Sequence, residues 1–279
     1  MAQKNSRNTP IRKYGEGDQI IIMIPGGPGL SYHYLEPLAI DLAEMGFQTW
    51  LYEPKGYPNN QPDAVPDTME HYGHELAHLL DECKLSNPIL YGQSFGGSII
   101  LDFLAKHPNY EGKVILSNTF PSGSFLKRGI QDRFQNLPET VQVRYQGLIE
   151  KEDFEGVSQI IGTEWIPRHL CRLPELPQSL LTTMGQMNDT TVQDHFIGAD
   201  LFNIQGAFTA WDITDVLPQI TAEVLCISGK WDYLNESINL EWMKRLPNVQ
   251  IAIDVESSHV PFFENRSYYM KTVTDFIIK

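Results

Sequence analysis

The 279-residue chain carries 35 acidic against 21 basic side chains, for a net charge of −14, with 42% hydrophobic and 20% charged residues. That length and balance exclude wholesale disorder and suffice for one sheet-based core with an insertion. A field of this sign repels nucleic-acid phosphates and anionic lipid, so neither is expected as a partner.

In chain order, Met1–Gly17 is polar and lacks the apolar region of a secretory signal. Ile20–Ile24 is the first short apolar run, and a glycine cluster, Pro25-Gly26-Gly27-Pro28-Gly29, follows it directly. His33–Met45 reads as a helix closed by Gly46, then Thr49–Tyr52 as a second strand. Asp67 is placed to cap a helix over Thr68–Cys83. Ile89–Tyr91 and Val114–Ser117 are further strands, with a helix over Phe95–Lys106 between them. From Pro121 to about Ala210 the alternation stops, and helical pieces punctuated by Pro138, Pro167, Pro174 and Pro177 take over. It resumes with strands at Val224–Ser228 and Val249–Ile253 and helices at Asn235–Leu246 and Ser267–Ile278. Near-continuous apolar strands alternating with amphipathic stretches imply a mainly parallel α/β sheet covered on both faces. The expected organisation is a first core part at 1–120, a helical insertion at 121–210 and a second core part at 211–279.

Three widely spaced cysteines, Cys83, Cys171 and Cys226, fit neither a disulfide framework nor a metal-ligand spacing. No apolar stretch reaches membrane-span length. A soluble, cytoplasmic protein is the expectation.

The strongest chemical signal is Gly92-Gln93-Ser94-Phe95-Gly96-Gly97, between a strand and a helix. A G-x-S-x-G serine at such a turn has its hydroxyl exposed, and the following helix aims backbone N–H groups at developing negative charge. The Gly26–Gly29 cluster would bring a second N–H beside it. Gly27 is the expected donor of one half of an oxyanion hole and Phe95 of the other. A phosphate-binding role for the cluster is disfavoured, because neither G-x-G-x-x-G nor a P-loop lysine is present. An acid and then a histidine should follow such a serine, each in a loop after a late strand. Asp232, in Gly229-Lys230-Trp231-Asp232, and His259, in Ser257-Ser258-His259, meet that order, ahead of the competing acids Asp212, Asp215 and Asp254.

These segments, with Phe208-Thr209-Ala210-Trp211-Asp212-Ile213-Thr214-Asp215, make nearly the whole chain resemble the proline iminopeptidase group of α/β-hydrolases, which includes the tricorn-interacting aminopeptidases. The resemblance implies an α/β-hydrolase fold with a helical lid at 121–210 and no cofactor or metal. It also implies a triad of Ser94, Asp232 and His259, an oxyanion hole at Gly27 and Phe95, and a small amide, peptide or ester substrate. Aminopeptidases of this group hold the substrate's amine with acids, one in a lid motif and one just after the triad aspartate. Here Gly198-Ala199-Asp200-Leu201-Phe202 and Tyr233 stand at those places. Gly26, Asp200 and Tyr233 are therefore the candidate substrate contacts, and a carboxylesterase without amine recognition is the alternative. Asp189 and Asp194 are further acids in the insertion, and Trp165, Phe196, Phe202 and Phe208 are aromatics for either a pocket or lid packing. His33 falls near the expected pocket mouth.

A different class is signalled by His74-Glu75-Leu76-Ala77-His78, an H-E-x-x-H match on a helix. The third ligand expected of the longer zinc-protease motif is missing after His78, so the stretch reads rather as a partly solvated helix face.

Overall fold

The computed structural model describes residues 11–61, 66–187 and 192–279. Seven strands form one sheet: β1 (Ile11–Tyr14), β2 (Ile20–Ile24), β3 (Gln48–Tyr52), β4 (Ile89–Gln93), β5 (Val114–Ser117), β6 (Val224–Gly229) and β7 (Val249–Asp254). Their order is β1-β3-β2-β4-β5-β6-β7. Only β1 runs antiparallel, against β3; the rest are parallel. The expected parallel sheet is there, with β1 as an addition that sequence reading passed over. Its four residues are too few to show a pattern, and Arg12 and Lys13 are exposed on an edge strand, where charge deters further pairing.

The helices in chain order are α1 (Glu36–Glu44), α2 (Met69–Glu82), α3 (Phe95–Lys106), α4 (Gly123–Gln135), α5 (Glu139–Ile149), α6 (Phe154–Ile160), α7 (Gln178–Gly185), α8 (Asp194–Phe196), α9 (Glu236–Met243), α10 (Pro261–Glu264) and α11 (Arg266–Ile278). Alternate residues of the central strands feed two cores. Ile22, Ile24, Leu90, Leu116 and Cys226 pack with residues of α2, α3 and α9 on one face. Ile21, Met23, Ile89, Tyr91, Ile115 and Leu225 pack with residues of α1 and α11 on the other. Burial on both faces is why these strands are apolar throughout, since each such side chain gains about 1.5–3 kcal/mol when buried.

Helix ends differ in detail from expectation. Residue 68, not Asp67, is the N-cap of α2, its extended φ of −140° placing it just outside the helix. Gly46 does follow α1 with a φ of +96°, the left-handed conformation that glycine tolerates at a helix end. Tyr32–Leu35 is a 3₁₀ turn ahead of α1.

Between β5 and β6 the described residues hold α4–α8 and no strand. The chain leaves and re-enters the core at one place. Gly123 N donates to Trp211 O at 3.0 Å and Ile213 N to Pro121 O at 3.1 Å, a two-residue bridge joining the ends of the helical stretch. Trp211 is fixed there because its indole N–H reaches the buried Asp102 carboxylate on α3, at 2.9 Å. A π-helical stretch, Ile161–Leu170, continues α6. Among the described residues, no helix is long and apolar enough to cross a membrane.

Candidate active site

Ser94 lies between β4 and α3 with φ 54° and ψ −123°, a backbone conformation few non-glycine residues adopt. Neighbouring backbone compels the glycines around it. A Cβ on Gly92 would stand 2.6 Å from Gly96 O, and one on Gly96 would stand 2.3 Å from Ile24 O. The turn is anchored by Ser94 N donating to Ser117 O (2.9 Å) and by Thr119 Oγ1 donating to Ser94 O (2.6 Å). The strands end here, at the carboxyl edge of a parallel sheet, where ligand crevices of such folds form.

Asp232 and His259 meet across two loops. His259 Nδ1 is 2.5 Å from Asp232 Oδ1, and both side chains are buried. The same carboxylate accepts from Tyr233 N (2.6 Å), Asn118 Nδ2 (3.0 Å) and Ser228 Oγ (3.2 Å), so four donors hold one buried charge. A buried ion needs such satisfaction. Asp254, the rival acid, is bonded instead to Ser257 Oγ and Glu256 N, and Asp215 lies at the surface beside Arg245. Asp212 accepts from Thr214 in the bridge region.

Ser94 and His259 line one cavity of about 490 Å³. Among the described residues Ser94 Oγ forms no hydrogen bond to the ring; such contacts are often long before substrate binds and tighten later. The cavity wall is largely apolar: Leu30, Phe120, Leu126, Leu180, Met184 and Val260 contribute, together with five residues of the π-helical stretch, Gly162 among them. A period of more than four residues per turn brings Ile161, Trp165, Ile166 and Leu170 onto one side of that stretch.

Of the two oxyanion candidates, Gly27 lines this cavity and Phe95 opens α3 next to Ser94. Neither amide has a hydrogen-bond partner among the described residues. Both are therefore available to an incoming negative oxygen. The Phe95 ring points elsewhere, packing on Tyr72, Phe196 and Phe208.

Two of the three substrate-contact expectations need correction. The N–H of Gly26 is taken by Tyr34 Oη at 2.6 Å, and the residue lies behind Ser94 rather than in the cavity wall. Asp200 is buried with its oxygens engaged by Tyr145 Oη (2.5 Å) and Phe202 N (2.9 Å); it caps a lid turn and does not reach the cavity. Tyr233 does line it, with its ring stacked on the His259 imidazole at 4.1 Å between centroids and 10° between planes. Burial raises the Tyr233 phenol pKa far above its ordinary value. Asp194 stands at the cavity wall, whereas Asp189 lies outside the described residues. Trp165 also lines the cavity; Phe196, Phe202 and Phe208 pack in the core. His33 is half-buried, bonded to Ser31 Oγ and stacked on Tyr32, away from the cavity wall.

Asn118 is the site residue that sequence reading missed. It follows β5 directly with φ 52°, a conformation asparagine tolerates, and its amide joins Asp232 Oδ2 to the Ser258 carbonyl. Its position, at the carboxyl end of the strand next to β4, is the signal that would have found it.

The H-E-x-x-H segment does not fit a zinc site. His74 and His78 face solvent on α2, while Glu75 turns inward to accept from Lys55 N, its carboxyl pKa raised by burial. Among the described residues, no three His, Cys, Asp or Glu side chains converge to hold a metal.

Residues 19–265 match the model of the alpha/beta hydrolase fold family, which covers most of the chain. The chain belongs to the α/β-hydrolase fold family. This α/β-hydrolase is 26% identical over 264 residues to a proline iminopeptidase of Saccharolobus solfataricus, covering 92% of this chain and 84% of that one. A proline iminopeptidase structure from Mycobacterium smegmatis superposes with a TM-score of 0.83 at 22% identity, covering 96% of this chain and 93% of the other. An esterase from Exiguobacterium antarcticum gives 0.68 at 19%, covering 96% and 95%. The seven-stranded sheet and flanking helices are those of the fold, and the chain is a serine-type hydrolase.

Proposed function

We propose that this α/β-hydrolase cleaves small amides, peptides or esters through an acyl-enzyme on Ser94, in the manner of a proline iminopeptidase. The observation that carries the reading is the buried Asp232–His259 pair, at 2.5 Å, sharing a cavity with a serine on a strained turn. His259 Nε2 removes the Ser94 proton as Oγ attacks the substrate carbonyl, while Asp232 fixes the tautomer and balances the imidazolium. The carbonyl oxygen, now negative, is held by the amides of Gly27 and Phe95 at the head of α3. The imidazolium then protonates the leaving amine or alkoxide, and a water activated by the same ring hydrolyses the acyl-enzyme. Neither a metal nor an organic cofactor takes part.

Residues 121–210 act as the lid of this site, between core parts at 1–120 and 211–279. Charge and composition support a reducing, cytoplasmic setting in which neither nucleic acid nor membrane is a partner.

A second reading, a carboxylesterase-type hydrolase without amine recognition, is favoured by one observation. The two places where an amine-binding acid is expected hold Tyr233, stacked on His259, and Asp200, committed to Tyr145. Activity assays with a prolyl anilide, its N-blocked copy and an aryl ester, run on wild type and Ser94→Ala, separate these readings. Loss of all activity in Ser94→Ala supports the serine mechanism, and undiminished turnover refutes it. Equal rates for the free and N-blocked anilides would rule out the aminopeptidase reading and leave the esterase.

A further inference from the structure

A chain of buried hydrogen bonds runs behind Ser94 and ties together three loops of the site. Gly26 N donates to Tyr34 Oη at 2.6 Å; Tyr34 Oη donates to Gln93 Oε1 at 2.7 Å; Gln93 Nε2 donates to the His259 carbonyl at 3.0 Å. Tyr34 and Gln93 are each 1% exposed, and both line the cavity. The first bond belongs to the glycine loop, the second to the residue before Ser94, and the third to the histidine loop. Every bond has its direction set. Gly26 N–H can only donate, so Tyr34 Oη accepts from it and gives its single proton to Gln93; the Gln93 amide is thereby oriented with its NH₂ toward the carbonyl.

We propose that Tyr34 and Gln93 are positioning residues that hold the Gly26–Gly27 loop and the His259 loop in register with the Ser94 turn. The inference rests on the serine-hydrolase reading above. Its physical content is a matter of which amide is left over. With the Gly26 N–H turned back onto Tyr34, the next amide, that of Gly27, is the one free for the oxyanion. Breaking the chain allows the loop to rotate and leaves buried polar groups unpaired, a cost the loop relieves by moving. Burial raises the Tyr34 phenol far above its ordinary pKa, so the group stays a neutral donor throughout the working range.

The test uses Tyr34→Phe and Gln93→Met, each close to isosteric, and the double variant, with steady-state kinetics on whichever ester or anilide the wild type turns over best. Both singles should lower kcat by roughly 10- to 100-fold, the scale set by misplacement of reacting groups by up to about 1 Å, while KM moves less than about threefold. The double variant should fall no further than about threefold below the worse single, because both changes sever the same chain. Single variants that retain wild-type kcat, or a double-variant loss equal to the product of the two, would overturn the proposal. Circular dichroism accompanies each variant, and if one fails to fold, kcat in the other decides. Failure of the serine-hydrolase reading is a separate result, visible as undiminished turnover in Ser94→Ala.

Discussion

Gly96 gives a quantitative handle on how tightly the oxyanion geometry is built. A Cβ there would stand 2.3 Å from Ile24 O and 2.7 Å from Pro25 O, both backbone atoms of the segment leading into Gly26 and Gly27. Real Cβ contacts stay beyond about 3.0 Å, so Gly96→Ala must part α3 from the end of β2 by about 0.7 Å. Those two elements carry the Phe95 and Gly27 amides. A misplacement approaching 1 Å costs about 100-fold, which sets the expected loss in kcat at roughly 10- to 100-fold. Overpacking costs about 1–3 kcal/mol and alanine returns up to about 1 kcal/mol of helix propensity, leaving a net destabilisation of about 1 kcal/mol. With about 2.1 cal/mol/K per residue over 279 residues, that is a fall in Tm of about 2 °C. Gly185, at the end of α7 with open space around its Cβ position, is the control: alanine there should leave kcat unchanged and Tm level or slightly higher. Stopped-assay kinetics and a thermal melt on both variants suffice. Should Gly96→Ala keep kcat within twofold of wild type, the close approach of α3 to the glycine loop is not what sets the oxyanion geometry.

Two further perturbations follow from the same geometry. Asn118→Gly keeps the φ of 52° accessible but removes one of four hydrogen bonds to Asp232; a charge-assisted bond worth about 1.5–3 kcal/mol predicts a kcat lower by roughly 10- to 100-fold with KM little changed, and unaltered kcat would remove Asn118 from the site. His169 is buried with Nδ1 2.9 Å from Trp231 O, and burial pushes its pKa down to about 4. The unfolded chain, at about 6.5, takes up a proton that the fold refuses, so this contribution to stability is intact above pH ~6.5 and is lost as pH falls toward 4. His169→Gln should therefore gain on wild type in Tm between pH 7.5 and 4.5; a constant difference across that range would contradict the assignment.

What the chain revealed of itself depended on how local each signal was. The central strands were legible because burial on both faces requires unbroken apolar runs, and β4–Ser94–α3 because a tight turn admits only small flanking residues. That Asp232 and His259 could meet as a candidate pair was legible by their order alone, since loops after late strands are fixed by topology. Asn118, Tyr34 and Gln93 were not: each is an ordinary polar residue whose role exists only when segments 59 to 166 residues apart in sequence are laid side by side. The short charged β1 carried too little pattern to be seen. Asp200 misled for the opposite reason, because its local motif promised a ligand contact while the Tyr145 hydroxyl, 55 residues away, had already claimed the carboxylate.

On the proposed mechanism, the stacking of Tyr233 on His259 would join recognition to proton transfer. A carboxylate at position 233 would stand beside both the ring and Asp232, adding a second negative charge to a buried site. An aromatic face instead presents a diffuse negative potential to the imidazolium and none of the desolvation cost of a second buried anion. The same substitution turns the nearby cavity wall apolar, continuous with Trp165 at 5.5 Å. A charged amine entering there would lose its water without gaining a counter-ion, whereas an uncharged side chain or acyl group gains burial. If an amine is bound at all, its partner must lie where the wall carries charge, and Asp194, in the helix α8, is the carboxylate the described wall provides. Substrates whose amine projects away from the imidazole, toward α8, should thus be preferred over those that place it beside Tyr233.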